Sequence, residues 1–139
     1  MKTAIVYKSF LGTTRQYAGW LHESLESSLF KSSQVSAGKL REYDLVILCS
    51  ATYMGWISLR GYLKKKWHIL QGKKVILLVV GVAPIEDPQS IRAYEKIPEY
   101  ISKNIQYFKV PGTIASSNAE NVKKENLQPV LDYINSLNT

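Results

Sequence analysis

One cysteine, Cys49, and two histidines, His22 and His68, are all the thiol and imidazole that this 139-residue chain carries. A lone cysteine cannot close an internal disulfide, which suits a reducing compartment, and it excludes a cysteine-built metal site. His22 falls on the solvent side of a helical pattern and His68 ends another beside lysines, so no metal centre is expected. No apolar run reaches the roughly 18 residues that a membrane span requires. Met1-Lys2-Thr3-Ala4 leads straight into a strand-like segment without a signal-peptide core, so the expected location is cytoplasmic. RNA-recognition and zinc-finger signatures are absent, and nucleic acid is not an expected partner. Asp44, Asp87 and Asp132 have no triad arrangement with histidine and serine, which leaves hydrolysis unsupported. With no repeat, low-complexity tract or linker, residues 1–139 read as a single domain.

Acidic residues are also scarce. Eleven Asp and Glu stand against 18 Lys and Arg, a formal net charge of +7 and a pI near 9.5. Such an excess attracts anionic partners, whether nucleic acid, membrane or acidic protein. Its densest part is Lys64-Lys65-Lys66, with Arg60, Lys73 and Lys74 nearby, and it reads as a solvated helix face and the turn after it.

What the chain has in quantity is short, wholly apolar segments. Thr3–Tyr7, Leu45–Cys49 and Val75–Val80 are β-branched, aliphatic or aromatic but for the small Cys49, and too short for helices, as strands buried on both faces read. The last of these, being the most apolar, is expected at the centre of the sheet. Ile105–Val110 with Thr113–Ala115 reads as a weaker strand broken by Pro111-Gly112, and a short edge strand is expected near Ser33–Val35. Helical patterns alternate with the strands. Thr14–Leu25 puts Tyr17, Ala18, Leu21 and Leu25 on one face, with Thr13 as its expected N-cap and Gln16 as capping-box partner. Lys39–Tyr43 reads as one helical turn. Leu59, Tyr62, Leu63, Trp67 and Leu70 mark another helix, capped by Ser58 and stopped at Gln71-Gly72. A helix over Gln89–Lys103 directs Ile91, Tyr94, Ile97 and Ile101 inward and is interrupted at Pro98. The C-terminal helix uses Val130, Leu131, Ile134 and Leu137, with Pro129 in its first turn.

Alternation of this kind predicts βαβ units, and so an α/β three-layer fold with a parallel sheet covered on both faces. In such sheets ligands bind at the carboxyl ends of the strands, where the connection direction reverses. The loops beginning at Lys8, Ser50 and Gly81 should therefore meet at one end. The first of them, Lys8–Thr14, is a glycine- and hydroxyl-containing turn at a helix N-terminus. Free backbone N–H groups and the helix dipole suit an anion there.

Three phosphate-loop or acidic-loop chemistries fail on this chain. The dinucleotide turn G-x-G-x-x-G is missing, since the first loop has only Gly12, and G-x-x-x-x-G-K-[ST] is missing altogether. A receiver domain needs acidic residues after its first strand and an aspartate ending the third, where this chain has Lys8-Ser9 and Cys49-Ser50.

Ser9-Phe10-Leu11-Gly12-Thr13-Thr14 resembles the flavodoxin phosphate loop, roughly [ST]-x-[ST]-G-x-T, matching at Ser9, Gly12 and Thr14 and departing at Leu11. The likeness implies a flavodoxin-like sandwich with a five-stranded parallel sheet of order 2-1-3-4-5 and FMN as cofactor. It also implies that Ser9, Phe10, Leu11, Gly12, Thr13 and Thr14 hold the phosphate through amides and hydroxyls. Ser50–Trp56 is similar to the first flavin-flanking loop, which implies ring contacts from Ala51, Thr52, Tyr53, Met54, Gly55 and Trp56. Tyr53 or Trp56 would stack on the ring, and the Gly55 peptide would flip on reduction, which glycine permits at no steric cost. Gly81, Val82, Ala83 and Pro84 correspond to the second flanking loop, here without an aromatic residue. Flavodoxins are markedly acidic and meet basic redox partners, so a +7 chain implies acidic ones. The pattern K-S-x-x-G-T-T-x-x-Y-A is also similar to the flavin-dependent protoporphyrinogen dehydrogenase group. Those proteins carry a longer insertion where this chain has only Val110–Asn121. The readings that follow are an FMN electron carrier, a flavin-dependent dehydrogenase or quinone reductase, and, last, a non-redox binding module of the same fold.

Overall fold

The computed structural model describes residues 1–9, 12–113 and 119–138. In chain order its elements are β1 (Thr3–Tyr7), α1 (Thr13–Ser24), β2 (Ser28–Lys31), α2 (Ala37–Leu40), β3 (Leu45–Tyr53), β4 (Trp56–Ile57), α3 (Arg60–Leu70), β5 (Lys74–Gly81), α4 (Pro88–Glu95), α5 (Glu99–Ser102), β6 (Gln106–Pro111) and α6 (Gln128–Leu137). Short 3-10 turns precede α2 and α6. The sheet runs β2-β1-β3-β5-β6, every neighbouring pair parallel. Set aside the two-residue β4, and the five strands have the expected order 2-1-3-4-5.

Strand alternation divides the interior into two cores. Ala4, Val6, Val46, Leu48, Leu77 and Val79 face one way, onto Leu63, Trp67 and Leu70 of α3 and Ala93 and Ile101 of α4 and α5. Ile5, Ile47, Cys49, Ile76, Leu78 and Val80 face the other, onto Tyr17, Ala18 and Leu21 of α1 and Val130 and Ile134 of α6. Successive side chains on a strand point to opposite faces, so a strand between two helical layers must be apolar at every position. That is why β1, β3 and β5 read so plainly.

Several local expectations differ from the structure. The edge strand is Ser28–Lys31, and Ser32–Gln34 is a 3-10 turn. Half-exposed and only four residues long, β2 carries little hydrophobic pattern. The middle place in the sheet belongs to β3, with β5 beside it. Ile91 is exposed, and Ser90 and Ala93 are the buried residues of α4. Pro98 does divide α4 from α5, and Pro129 lies in the first turn of α6. Of the extension expected at Thr113–Ala115, Thr113 is outside the strand, and Ile114 and Ala115 lie outside the described residues.

Candidate functional site

The carboxyl ends of β1, β3 and β5 share one end of the sheet, where Lys8 N–H donates to the Cys49 carbonyl at 3.1 Å. There Gly12 is the N-cap of α1, at φ 87°, and as a glycine it brings no capping side chain of its own. Thr13 is the first helical residue, not the cap, and the N–H of Gln16 bonds to the Gly12 carbonyl at 2.9 Å. A left-handed cap lets the chain turn sharply from strand to helix, and glycine enters that region without the Cβ clash. The Ser9 hydroxyl accepts from Gly12 N–H at 3.0 Å. The N–H groups of Thr13, Thr14 and Arg15 precede the first intrahelical donor, Gln16, and point out of the helix end. Phe10 and Leu11 lie outside the described residues.

Residues 50–56 form a hairpin where a loop was expected. β3 continues through Tyr53 and pairs antiparallel with β4, Thr52 opposite Ile57 and Tyr53 opposite Trp56. Met54 and Gly55 turn the chain at φ 49° and 80°. Two consecutive positive φ angles are the signature of the two-residue turn whose twist matches antiparallel strands. A pair of serines fastens the hairpin's base. Buried Ser50 bonds through Oγ to Ser58 Oγ at 2.9 Å and accepts from Leu59 N–H at 2.8 Å. Ser58 Oγ in turn accepts from Ala51 N–H at 3.1 Å. Ser58 therefore closes the hairpin instead of capping α3, whose N-cap is Leu59.

The tip of the hairpin is held from α4's end. Lys96 Nζ donates to the Gly55 carbonyl at 2.7 Å and sits 4.1 Å from the Trp56 ring centre. Arg60 lies over the same ring at 4.9 Å and donates from Nε to the Lys96 carbonyl at 2.8 Å.

The third loop, residues 81–87, is fixed from beneath. Half-buried Lys109 of β6 donates to the Ala83 carbonyl at 2.6 Å and to Ser90 Oγ at 2.7 Å. Burial pulls its ammonium pKa below the usual lysine value, and the Asp87 charge opposes that shift. Asp87 itself caps α4, accepting from Gln89 N–H at 2.8 Å. Gly112 follows β6 in close approach to β5. A Cβ there would stand 3.1 Å from Val80 Cγ1 and 3.2 Å from the Gly81 backbone.

These three segments enclose a cavity of about 360 Å³ lined by Thr13 and Thr14, by Ala51, Thr52, Tyr53, Met54 and Gly55, and by Val80, Gly81 and Val82. Gln89, Gly112 and Thr113 complete it. Other expected residues lie beside it. Ser9 and Gly12 line a second hollow with Lys8, Arg15 and Lys31. Trp56 borders a third with Lys8, Tyr53 and Ser58, its ring already flanked by two cations. Ala83 and Pro84 line a hollow on the far side of the third loop. Sequence reasoning did not single out Lys96 or Lys109, whose partners are 41 and 26 residues away. Gly112 did leave a trace, as part of the expected break within the last strand.

The cavity suits a planar, phosphate-bearing group. It has uncapped helical N–H groups at one end and an aromatic-bordered, glycine-tipped hairpin at the other. Among the described residues no group of His, Cys, Asp and Glu could hold a metal ion. The buried Cys49 thiol, pushed up to about 12 by desolvation, stays protonated and inert. No helix among the described residues is long and apolar enough to cross a membrane.

No curated protein sequence matches the chain. Solved structures do. Flavodoxin 2 from Bacillus cereus is 23% identical, with 89% of this chain and 92% of that one covered at a TM-score of 0.58. A flavoprotein in complex with FMN from Lactobacillus acidophilus is 14% identical, covering 88% and 99% at 0.58. An azoreductase from Bacillus anthracis is 11% identical, covering 98% and 100% at 0.64. Identities this low establish a shared fold. The description "Flavodoxin domain" matches residues 4–132. Spanning nearly the whole sequence, that match decides the matter: the chain belongs to the flavodoxin domain family, redox proteins whose cofactor is FMN.

Proposed function

We propose that this protein carries electrons between redox partners, with FMN in the cavity of about 360 Å³ between α1, the hairpin and the third loop. FMN supplies the one- and two-electron chemistry that side chains lack, and the protein binds, orients and shields it. The observation that carries the reading is the cavity's polarity from end to end. Thr13 and Thr14 bring hydroxyls and N–H groups that have no partner among the described residues, together with the positive end of the α1 dipole. Ser9 and Gly12 shape that loop through their own hydrogen bond. At the other end Tyr53, half exposed and bordering the cavity, is the stacking ring, and Ala51, Thr52, Met54, Gly55, Gly81 and Val82 supply edge contacts. Ala83 and Pro84 act indirectly, by holding the third loop in place. No side chain need act as an acid or base. The net charge of +7 favours acidic partner proteins, and a cytoplasmic setting accords with the unpaired Cys49.

The experiment is titration of the purified protein with FMN. Saturable quenching of flavin fluorescence with a shifted absorbance spectrum is expected. Unchanged fluorescence at excess protein overturns both the cofactor assignment and the function.

A second reading, a flavin-dependent reductase, has one observation in its favour: a basic hollow opens beside the FMN cavity, where a small substrate could reach the flavin. Steady-state turnover of a reduced nicotinamide and a quinone separates this reading from a carrier that only relays electrons.

A further inference from the structure

The hollow beside the FMN cavity is walled by three cations and no acid, as is the one lined by Lys8, Arg15 and Lys31, but it alone of the two shares a wall with that cavity. It measures about 400 Å³ and shares Thr52, Gly55, Gly81 and Gln89 with its neighbour. Its remaining wall carries Arg92, Lys96 and Lys109, and no Asp or Glu lines it. None of these cations enters an ion pair among the described residues, where the pairs are Lys2–Glu42, Lys39–Glu42 and Lys124–Glu23. Three positive groups facing one concave space repel each other, and in a chain with few acids nothing on the wall neutralises them.

Their donors are also underused. A guanidinium has five N–H groups and an ammonium three. Arg92 makes no hydrogen bond among the described residues, Lys96 gives one to the Gly55 carbonyl, and Lys109 gives two, to Ala83 and Ser90. Those bonds tether both ammoniums to the wall, the half-buried Lys109 by two and Lys96 by one. Arg92 is exposed and free to close over a guest. The nearest acid in electrostatic contact is Asp87, which acts on Lys109 but is engaged at the start of α4.

We infer that this basic hollow is a binding site for the phosphate of a small organic redox partner, held by Arg92, Lys96 and Lys109 beside the FMN cavity. The inference rests on the FMN reading above and adds the site's anionic ligand. Fixed ammoniums with a mobile guanidinium suit a tetrahedral, multiply charged oxyanion, which a planar fork grips at two oxygens. A volume of about 400 Å³ is of small-ligand size. The concave shape disfavours a protein carboxylate, which would need only a flat basic patch. The shared wall places a guest's reactive end against Gly55 and Gly81, on the border of the flavin cavity.

The test uses FMN-loaded protein and inorganic pyrophosphate as probe, followed by calorimetry at low salt. FMN titration comes first, so failure of the cofactor reading registers separately. Saturable pyrophosphate binding is expected, weakened about tenfold or more in Arg92→Gln as a charge-assisted contact is lost. FMN affinity should stay within about twofold in that variant, since Arg92 lies outside the FMN cavity. Arg92→Lys should recover part of the loss. The proposal is overturned if FMN-loaded protein takes up no pyrophosphate, or if Arg92→Gln binds it unchanged. It is overturned too if an oligoglutamate peptide binds through Arg92 while pyrophosphate does not, which would make the hollow an acidic-protein contact.

Discussion

At the start of α1 the backbone N–H groups of Thr13, Thr14 and Arg15 have no intrahelical acceptor, and among the described residues no side chain bonds to them. At the tip of the hairpin the polar atoms are matched: Lys96 takes the Gly55 carbonyl, and the Ser50–Ser58 pair ties the base. The two regions border one cavity and treat backbone polarity in opposite ways. Open donors give the first region an affinity for an anion. Closed contacts give the second a fixed shape against which a flat ring can rest. Binding strength is thus expected to reside at α1, and orientation and redox tuning at the hairpin and third loop.

The largest expected effect lies on the open side. Gly12→Val forces a β-branched residue to φ 87°, although nothing stands within 4 Å of its Cβ. The loop must rotate and turn its donors away. Loss of two charge-assisted contacts at about 1.5 kcal/mol each lowers FMN affinity by roughly a hundredfold. Fluorescence titration reads this, and unchanged affinity would break the contrast between the two regions.

On the closed side, Lys109→Met removes the donor shared by Ala83 and Ser90. The Ser90 hydroxyl still donates to the Ala83 carbonyl at 3.2 Å, so the loss should cost about 0.5–1.5 kcal/mol of stability, measured by urea unfolding. FMN affinity should fall less than in Gly12→Val. A reversed order would place binding strength in the third loop.

Gly55→Ala tests orientation more narrowly. The turn holds φ 80° there, and an added Cβ would sit 3.4 Å from Lys96 Nζ. Strain of about 1 kcal/mol is expected, along with a shifted reduction midpoint and nearly intact affinity for oxidised FMN. An unmoved midpoint in potentiometric titration would remove the Gly55 peptide from redox tuning.

The sequence made the frame legible and left the fastenings hidden. β1, β3 and β5 stand out because strands buried on both faces can have no polar phase. Gly12 and Gly55 were readable because positive φ leaves few alternatives. The hairpin was not, since its Ser50–Ser58 bond looks in sequence like two loop hydroxyls. Met54-Gly55 between β-branched and aromatic residues was its one trace, weaker than Asn-Gly would have been. Lys96 and Lys109 had no local signal, because their partners are supplied by the fold. Ile91 fitted the helical period with Tyr94 yet faces outward, since α4 turns Ser90 and Ala93, each one residue earlier, onto the core.

The smallest effect lies away from the site and serves as a control. Tyr62 and Tyr107 bury hydroxyls without partners, and burial raises both phenols to about 12. The unfolded chain releases these protons near pH 10, so their contribution is complete below that pH and is lost as pH rises toward 12. Tyr107→Phe should leave stability at pH 7 unchanged or raise it by about 0.5–1 kcal/mol. It should also flatten the alkaline loss in urea unfolding between those limits, with FMN affinity untouched.

The most direct measurement is a crystal structure of the FMN complex. The phosphate is expected on the N–H groups of Thr13 and Thr14, with the ring against Tyr53–Gly55 on one side and Gly81–Val82 on the other. A phosphate seated instead among Arg92, Lys96 and Lys109, with the α1 terminus empty, would contradict the division between an open and a closed region.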